Sequence, residues 1–172
     1  MIVHNFPDSN RVGKQGEKII RKYFESCQDI IHYEDVSDKK EYQDQDIDGI
    51  LWRSTGDKGT VELKTDKYTT NRIFYETDSC VERHTPGCMN KTKAEYLYYY
   101  FPGYGCMYRI KMNEYREWFE ENKKEFTSAT FQNKSKFNGS IYHSRGRLIP
   151  LPWFEQNFAH WEKIPMPKVH IT

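Results

Sequence analysis

The stretch that decides the fold reads Gln45-Asp46-Ile47-Asp48-Gly49-Ile50-Leu51-Trp52-Arg53-Ser54-Thr55-Gly56-Asp57-Lys58-Gly59-Thr60-Val61-Glu62-Leu63-Lys64. Two apolar-rich runs flank a segment of Ser, Thr, Asp and Gly, which is typical of a β-hairpin. Side chains alternate faces along a strand, so Asp46 shares a face with Asp48, and Glu62 shares one with Lys64. A turn centred near residues 55–57 sets Asp48 opposite Glu62 or within about two residues of it. The hairpin therefore predicts several carboxylates and one ammonium on one face of a sheet.

This acidic face has two interpretations. Neighbouring carboxylates raise each other's pKa by repulsion, and a bound divalent cation removes that cost. Oxygen-only ligands suit Mg²⁺. The alternative is a hairpin with one solvated face, on which acids and lysines are common. The hairpin alone does not decide between the two.

Composition limits the classes of protein to consider. The chain has 172 residues, of which 30% are charged, a net charge of +1, and 13 Tyr, 10 Phe and 4 Trp. That length suits one domain, with aromatic side chains supplying much of the core. The balanced charge provides no overall field toward nucleic acid, so any such binding must come from local basic clusters.

The cysteines and the apolar runs indicate a compartment. Cys27, Cys80, Cys88 and Cys106 are scattered, and the first residues lack the pattern of a signal peptide. We interpret the four as reduced thiols of a cytoplasmic protein. A zinc cluster of Cys80, His84 and Cys88 is disfavoured, because a close cysteine pair and a fourth ligand are missing. No apolar run reaches the length of a membrane span, so no membrane association is expected.

Periodicity predicts the elements around the hairpin. Helices are expected at residues 13–26, 91–101, 114–126 and 153–161, and further strands at residues 30–33, 71–77, 105–112 and 148–151. Residues 127–140 are expected to form an exposed loop and residues 143–147 a basic turn. The prediction is one α/β domain with a mixed central β-sheet flanked by helices. Its core spans about residues 13–126 and its C-terminal extension residues 127–172.

Four residues in this order of elements carry a resemblance to a known family. Glu17 lies at the edge of the apolar stripe of the first helix, Asp48 lies at the start of the hairpin, and Glu62-Leu63-Lys64 forms a Glu-x-Lys motif. With the order α-β-β-β-α-β over roughly residues 13–112, the chain resembles the PD-(D/E)xK nuclease superfamily, which has the restriction-endonuclease-like fold. It departs from that pattern at Ile47, which precedes Asp48 where the family has proline.

The resemblance implies a role for each residue. It implies hydrolysis of DNA phosphodiesters by a Mg²⁺-activated water, with Mn²⁺ as a substitute and no small-molecule organic cofactor. Asp48, Glu62, the carbonyl of Leu63 and Glu17 would ligate the metal, Glu17 directly or through water. Lys64 would hold the attacking water or a phosphate oxygen, which makes Asp48, Glu62 and Lys64 the catalytic set. Taken on its own, Glu17 is also explained by the helix dipole.

Other residues near the hairpin have open roles. Asp46 is an additional or alternative ligand, and we favour Asp48 because Gly49 after it admits close approach of another backbone. Glu76 has the right face in the third strand, but a partnership with a lysine or arginine explains it as well. The candidate nucleic-acid contacts are Lys67, Arg72, Lys91, Lys93, Arg145 and Arg147. Solvated surface charge is the alternative for the lysines, although Lys91 and Lys93 at a predicted helix N-terminus favour an anion.

Three interpretations of the function remain open. The first is a Mg²⁺-dependent deoxyribonuclease, in particular an endonuclease, with DNA as its partner and a homodimer as an arrangement common in that family. The second is a non-catalytic nucleic-acid-binding or scaffolding protein with a nuclease-like fold. The third is an unrelated α/β domain in which the hairpin acids are ordinary surface residues.

Overall fold

The computed structural model describes residues 6–135 and 138–170 of the chain. Its helices are α1 (Phe6–Ser26), α2 (Lys40–Gln43), α3 (Cys88–Lys91), α4 (Met112–Asn122) and α5 (Leu151–Asn157). Its strands are β1 (Ile30–Asp35), β2 (Gly49–Arg53), β3 (Lys58–Thr65), β4 (Arg72–Cys80), β5 (Thr85–Pro86), β6 (Tyr96–Phe101), β7 (Cys106–Lys111), β8 (Thr127–Lys134), β9 (Ile141–Pro150) and β10 (Trp161–Pro165). Single 3-10 turns cover Val81–Arg83 and Lys123–Glu125.

Within the described residues the strands form two sheets. The main sheet has the order β1-β2-β3-β6-β7-β10, and the second sheet has the order β5-β4-β9-β8. In the main sheet β3 and β6 run parallel, whereas the other neighbouring strands run antiparallel. The architecture is therefore α/β with a mixed sheet flanked by helices, as the sequence predicts. The central hairpin is confirmed as the antiparallel pair β2–β3.

Helix α1 covers one face of the main sheet. Val12, Gly16, Ile20 and Phe24 recur every fourth residue and are buried, which is the spacing of one helical stripe. Ile20 and Phe24 pack with residues of β2, β3, β6 and β7. The helix begins at Phe6 rather than at residue 13, so the predicted start of the helix is wrong, and residues 1–5 lie outside the described part.

The other face of the main sheet carries the larger core. Residues of β6 and β7 pack there against β4 and β9 of the second sheet and against α4 and α5. Tyr75 of β4 stacks on Phe119 of α4 with ring centroids 3.5 Å apart. Aromatic side chains supply much of this cluster, in agreement with the composition. No helix among the described residues is long and apolar enough to cross a membrane.

The segment at residues 91–101 differs most from expectation. Ala94, Leu97, Tyr98 and Phe101 have helical spacing, but residues 96–101 form the central strand β6 and the predicted helix is wrong. Leu97 through Phe101 are all buried, because β6 is covered on both faces. A strand of this kind reads as a continuous apolar run, which periodicity does not distinguish from a buried helix.

Further corrections concern the C-terminal part of the chain and the second sheet. The helix expected at residues 153–161 is α5 (Leu151–Asn157), and Trp161 begins β10 of the main sheet. The strand expected at residues 71–77 is confirmed as β4, but it pairs with β9 in the second sheet instead of joining the main one. Residues 127–134 form β8 rather than a loop, and residues 143–147 are part of β9 rather than a basic turn. Residues 136–137 of the expected loop lie outside the described residues. The chain after residue 126 thus contributes β8 and β9 to the second sheet and β10 to the main one.

Candidate functional site

Asp48 is fixed between its neighbouring strands at the start of β2. Its backbone N–H donates to the carbonyl of Val61 at 3.0 Å, and its own carbonyl accepts from Val36 N–H at 3.0 Å. Its carboxylate Oδ2 accepts from the backbone N–H of Leu63 at 2.8 Å. Gly49 pairs with Val61, so Asp48 stands opposite Glu62, as the hairpin predicts. The carboxylate is therefore held by main-chain hydrogen bonds beside the Glu-x-Lys motif.

Glu62 is a buried acid in the middle of β3. Its side chain is 6% exposed, and its Oε1 lies 3.3 Å from Nζ of Lys64. Burial raises the pKa of Glu62 to about 8; the charge of Lys64 opposes this rise and that of Asp48 adds to it. Burial also raises the pKa of Asp48, against the lowering effects of the Leu63 N–H and of Lys64. Two adjacent carboxyls thus face each other in surroundings that disfavour two negative charges.

Lys64 is the cation of this cluster. Its side chain is 37% exposed, so part of it reaches solvent. Its pKa is raised by the acidic groups around it, Cys88 first and then Glu62, Glu76 and Asp48. Lys64 is therefore a permanent positive charge at neutral pH, placed where it can meet both the acids and an incoming anion.

Helix α1 brings Glu17 to the same place. A Cβ atom on Gly16 would overlap the side chain of Thr65, so the missing side chain lets the helix lie directly on the end of β3. The adjacent Glu17 has its pKa raised by burial and next by the charge of Asp48. Arg21 lies 3.7 Å from Glu17 and 2.6 Å from Asp35. Sequence reasoning missed Arg21, although its position four residues after Glu17 was a usable signal.

The carboxylate oxygens of Asp48 and Glu62 are the kind of ligand that a hard cation prefers, but the protein supplies only part of a coordination shell. Among the described residues, no group of three or more His, Cys, Asp or Glu side chains could hold a metal ion. Asp48, Glu62 and Glu17 therefore do not form a three-acid metal site in the described part of the structure. Mg²⁺ commonly uses one or two carboxylates and keeps several waters. The Leu63 carbonyl points to the same side of β3 as the Leu63 N–H that meets Asp48, so it faces this site too.

Asp46 borders the site, since its charge adds to the raised pKa of both Asp48 and Glu62, but its carboxylate is engaged by another residue. Its backbone is left-handed, with φ of +52°, so it does not continue the strand alternation toward Asp48. Its carboxylate pairs with Nζ of Lys91 at 2.9 Å, and its carbonyl accepts from the hydroxyl of Thr92 at 2.6 Å. Thr92 is 1% exposed, so this link is internal. Asp46 thus ties the loop before Asp48 to the loop before β6.

Glu76 and Gly49 also have identified neighbours. Glu76 Oε2 accepts from the backbone N–H of Cys88 at 3.1 Å, and its charge acts on Lys64. It therefore borders the site from the second sheet. Gly49 was expected to admit another backbone, but a Cβ there would overlap the ring of Tyr33 instead. The four cysteines are free thiols, in agreement with expectation.

The six predicted nucleic-acid contacts do not form one surface. Arg72 lines a cavity beside the site, and Nζ of Lys67 lies 5.7 Å from the ring centroid of Tyr68. Lys91 pairs with Asp46 and is the last residue of α3, and the exposed Lys93 lies in the loop after α3. Neither lysine lies at a helix N-terminus, so that prediction is wrong for both.

The two remaining arginines belong to β9. Arg145 pairs with Asp78 at 3.1 Å, and Arg147 Nη1 donates to the carbonyl of Phe126 at 3.0 Å. Both alternate with Ser144 and Leu148, which line the cavity, so they lie on the opposite face of the second sheet.

The local geometry therefore brings Glu17, Asp48, Glu62 and Lys64 together, with Glu76 at the border. No protein-family model matches the chain, and comparison with curated proteins and with solved structures gave no match.

Proposed function

We propose that this protein is a metal-dependent phosphodiesterase that hydrolyses DNA, built on a restriction-endonuclease-like core of the PD-(D/E)xK type. The observation that carries the proposal is the meeting of Asp48, Glu62 and Lys64, with Glu17 supplied by α1. The pKa values of all three acids are raised by burial first, and charge from a neighbouring acid adds to the rise at each. Acids held in this way are stabilised when a cation neutralises them.

The order of elements supports the same proposal. With α2, β4 and β5 left out, the chain runs through α1, β1, β2, β3, the short helix α3 and β6, which is an α-β-β-β-α-β order, although the helix predicted at residues 91–101 is wrong. The three strands of this order are then β1, β2 and β3, rather than the two hairpin strands followed by residues 71–77. The second sheet is an addition to this order of elements, since its strands β4 and β5 are inserted between β3 and α3.

The residues of the site divide the work of hydrolysis. Asp48, Glu62 and the Leu63 carbonyl would hold Mg²⁺ or Mn²⁺, with Glu17 acting through water. When bound, such an ion supplies Lewis acidity toward water and phosphate. Lys64 orients the attacking water or a phosphate oxygen and offsets the negative charge that grows in the transition state. The main-chain bond from Leu63 to Asp48 keeps the carboxylate in place throughout.

Metal binding gives a test that is independent of cleavage. Because the pKa of Glu62 is about 8, this carboxyl carries a proton at pH 7 when no cation is present. Binding of Mg²⁺ or Mn²⁺ should therefore release a proton at pH 7, whereas little release is expected at pH 9. Titration calorimetry in two buffers of different ionisation enthalpy measures this release. Binding without proton release at pH 7 would contradict the coupling of metal binding to the Glu62 proton.

Cleavage tests the function itself. Purified protein with Mg²⁺ is incubated with linear, circular, single-stranded and branched DNA. Asp48→Asn, Glu62→Gln and Lys64→Met should each reduce the rate by about a hundredfold or more. Glu25→Gln is the matched control, because Glu25 is an exposed acid of α1. Wild-type rates in Asp48→Asn and Glu62→Gln would contradict the proposal.

A non-catalytic nucleic-acid-binding protein is the second candidate. Its support is the absence of a complete three-ligand metal group among the described residues. It predicts DNA binding with no uptake of Mg²⁺ or Mn²⁺ at millimolar concentration. The calorimetric titration therefore separates the two candidates.

A further inference from the structure

A cavity of about 350 Å³ opens beside the candidate site. It lies between the end of β3 and the face of the second sheet that carries Phe74, and its lining is mainly apolar. This size and this surface are typical of pockets for small organic groups. The proposed hydrolysis does not use it, since the acids and Lys64 lie next to it rather than in it.

Aromatic side chains form the walls of this cavity. Phe74 of β4 and Phe131 of β8 meet edge to face, with centroids 4.9 Å apart and an interplanar angle of 86°. Tyr99 of β6 forms a third wall of the cavity. Its hydroxyl accepts a hydrogen bond from the backbone N–H of Phe74 at 3.4 Å, which links this wall to the second sheet. Flat aromatic walls fixed in this way suit a flat occupant that stacks on them.

A few polar groups point to the kind of occupant. The amide of Asn133 donates to the hydroxyl of Ser144 at 3.1 Å and to the carbonyl of Phe131 at 3.3 Å, which orients it. Its Oδ1 is an acceptor, and the Ser144 hydroxyl hydrogen is a donor, so the cavity wall presents both kinds of group. The Asp66 carboxyl also lines the cavity and accepts from Tyr68 N–H at 2.8 Å. An occupant with an aromatic face and a hydrogen-bonding edge matches these groups.

The cavity and the candidate site share two strands. In β3 Lys64 belongs to the site, and the next residues, Thr65 and Asp66, line the cavity. In β4 Phe74 lines the cavity, and Glu76, on the same face, borders Lys64. Two residues of a strand span about 7 Å, which is of the order of the distance from the phosphate to the base of one nucleotide.

From this juxtaposition we propose that the cavity receives one unpaired nucleobase of the DNA whose phosphate is bound at Asp48, Glu62 and Lys64. The protein would then act on DNA that has an unpaired or extruded nucleotide beside the bond to be cut. A base within a duplex has both faces covered by its neighbours, so it enters such a pocket only after leaving the stack. Arg72, exposed at the cavity, would contact a neighbouring phosphate. The inference rests on the proposed function.

The test compares three DNA duplexes of one sequence. The first is fully paired, the second carries a single unpaired adenosine, and the third carries an abasic residue at that unpaired position. We expect wild-type protein to bind the second about tenfold or more tightly than the other two, measured by fluorescence anisotropy in Mg²⁺-free buffer. With Mg²⁺ added, cleavage should fall next to the unpaired nucleotide.

Two variants locate the effect in the cavity. Phe131→Ala and Asn133→Ala should remove the preference for the unpaired adenosine and leave binding to the paired duplex unchanged. Thr130→Ala is the control, because Thr130 is exposed on the opposite face of the same strand β8. The abasic comparison uses wild-type protein alone, so it holds even where a variant fails to fold.

The outcomes separate this inference from the function on which it rests. Equal affinity for all three duplexes overturns the pocket assignment, even where Mg²⁺-dependent cleavage is found. Preferential binding of the unpaired adenosine without cleavage of any DNA supports the pocket and overturns the nuclease. A preference that survives in both Phe131→Ala and Asn133→Ala places the base elsewhere and overturns the inference.

Discussion

Glu62 is a buried carboxyl whose nearest charges have opposite signs. Lys64 stabilises its ionised form and Asp48 opposes it, but burial is the largest influence, so the pKa rises to about 8. The strand alternation predicted the shared face of Glu62 and Lys64, because the period of a strand is fixed by its geometry. The same rule failed for Asp46, since a left-handed residue interrupts the alternation. The contacts of Asp46 are with Lys91 and Thr92, which are remote in sequence and therefore not visible to local periodicity.

The raised pKa of Glu62 predicts how stability depends on pH in the metal-free protein. Below about pH 4.5 the carboxyl is protonated in the folded and the unfolded state, so its stabilising contribution is complete. As the pH rises toward about 8, the unfolded chain ionises while the folded one keeps its proton, and that contribution is lost. We expect Glu62→Gln to become more stable than wild type across this window, by an amount on the order of a few kcal/mol at pH 8.

Urea unfolding at pH 5 and pH 8 in a chelating buffer measures the difference. The free energy of unfolding of wild type should fall relative to that of Glu62→Gln as the pH rises. Glu25→Gln, which removes an exposed acid, should follow wild type. Parallel pH profiles of wild type and Glu62→Gln would show that this carboxyl ionises normally in the folded protein.

At the scale of elements, the contact between α1 and β3 sets the position of Glu17. Gly16 is the residue at which helix and strand touch, and Thr65 fills the space where a side chain would lie. Helical periodicity predicted the helix and its buried stripe, but it did not identify Gly16 as the contact, because glycine carries no apolar signal. The prediction of a helix in place of β6 was wrong because the apolar pattern of residues 96–101 shows that they are buried but not whether they form a helix or a strand. Short apolar runs report burial more reliably than conformation.

Two glycines in the same helix provide a matched pair of substitutions. Gly16→Ala should destabilise the protein by about 1–3 kcal/mol, because the new methyl group overlaps Thr65 and moves the helix outward. Gly13→Ala should stabilise it by about 0.5–1 kcal/mol, because its Cβ has no neighbour closer than 4.0 Å and alanine favours the helix.

Thermal or urea unfolding measures both changes, and the Mg²⁺ affinity of Gly16→Ala should fall along with its stability. Equal effects of the two substitutions would mean that α1 does not lie on Thr65 as described.

At the scale of the whole molecule, the two sheets share one core. Tyr75 and Ile149 of the second sheet belong to the same cluster as Leu97 and Tyr108 of the main sheet. Sequence patterns predicted many of the strands but not their division into two sheets. Pairing between strands far apart in the chain depends on register and burial, which local periodicity does not encode. The expected loop at residues 127–140 contains a strand of polar residues, and its edge position in the second sheet explains that composition.

The shared core predicts the effect of shortening the chain. A chain ending at residue 126 would lose β9, the partner of β4, together with β10, the partner of β7. It would also lose Phe154 and Phe158 from the large cluster. We expect this chain to lack a cooperative thermal transition, measured by near-ultraviolet circular dichroism. A sharp transition in the shortened chain would mean that residues 13–126 form an independent core.

The pairing of β4 with β9 also has a consequence for how the chain reaches its native state. Arg72 of β4 pairs with Pro150 of β9, and Glu76 pairs with Gly146. During synthesis the short strand β5 can pair with one edge of β4 early, but the other edge stays unpaired until β9 has been translated. Contacts between residues far apart in the chain slow folding, because the long loop between them must close, at a cost in entropy, before the strands can pair. Phe74 and Tyr75 of this strand are then exposed on the nascent chain, and transiently exposed apolar surface of this kind favours aggregation until β9 is made.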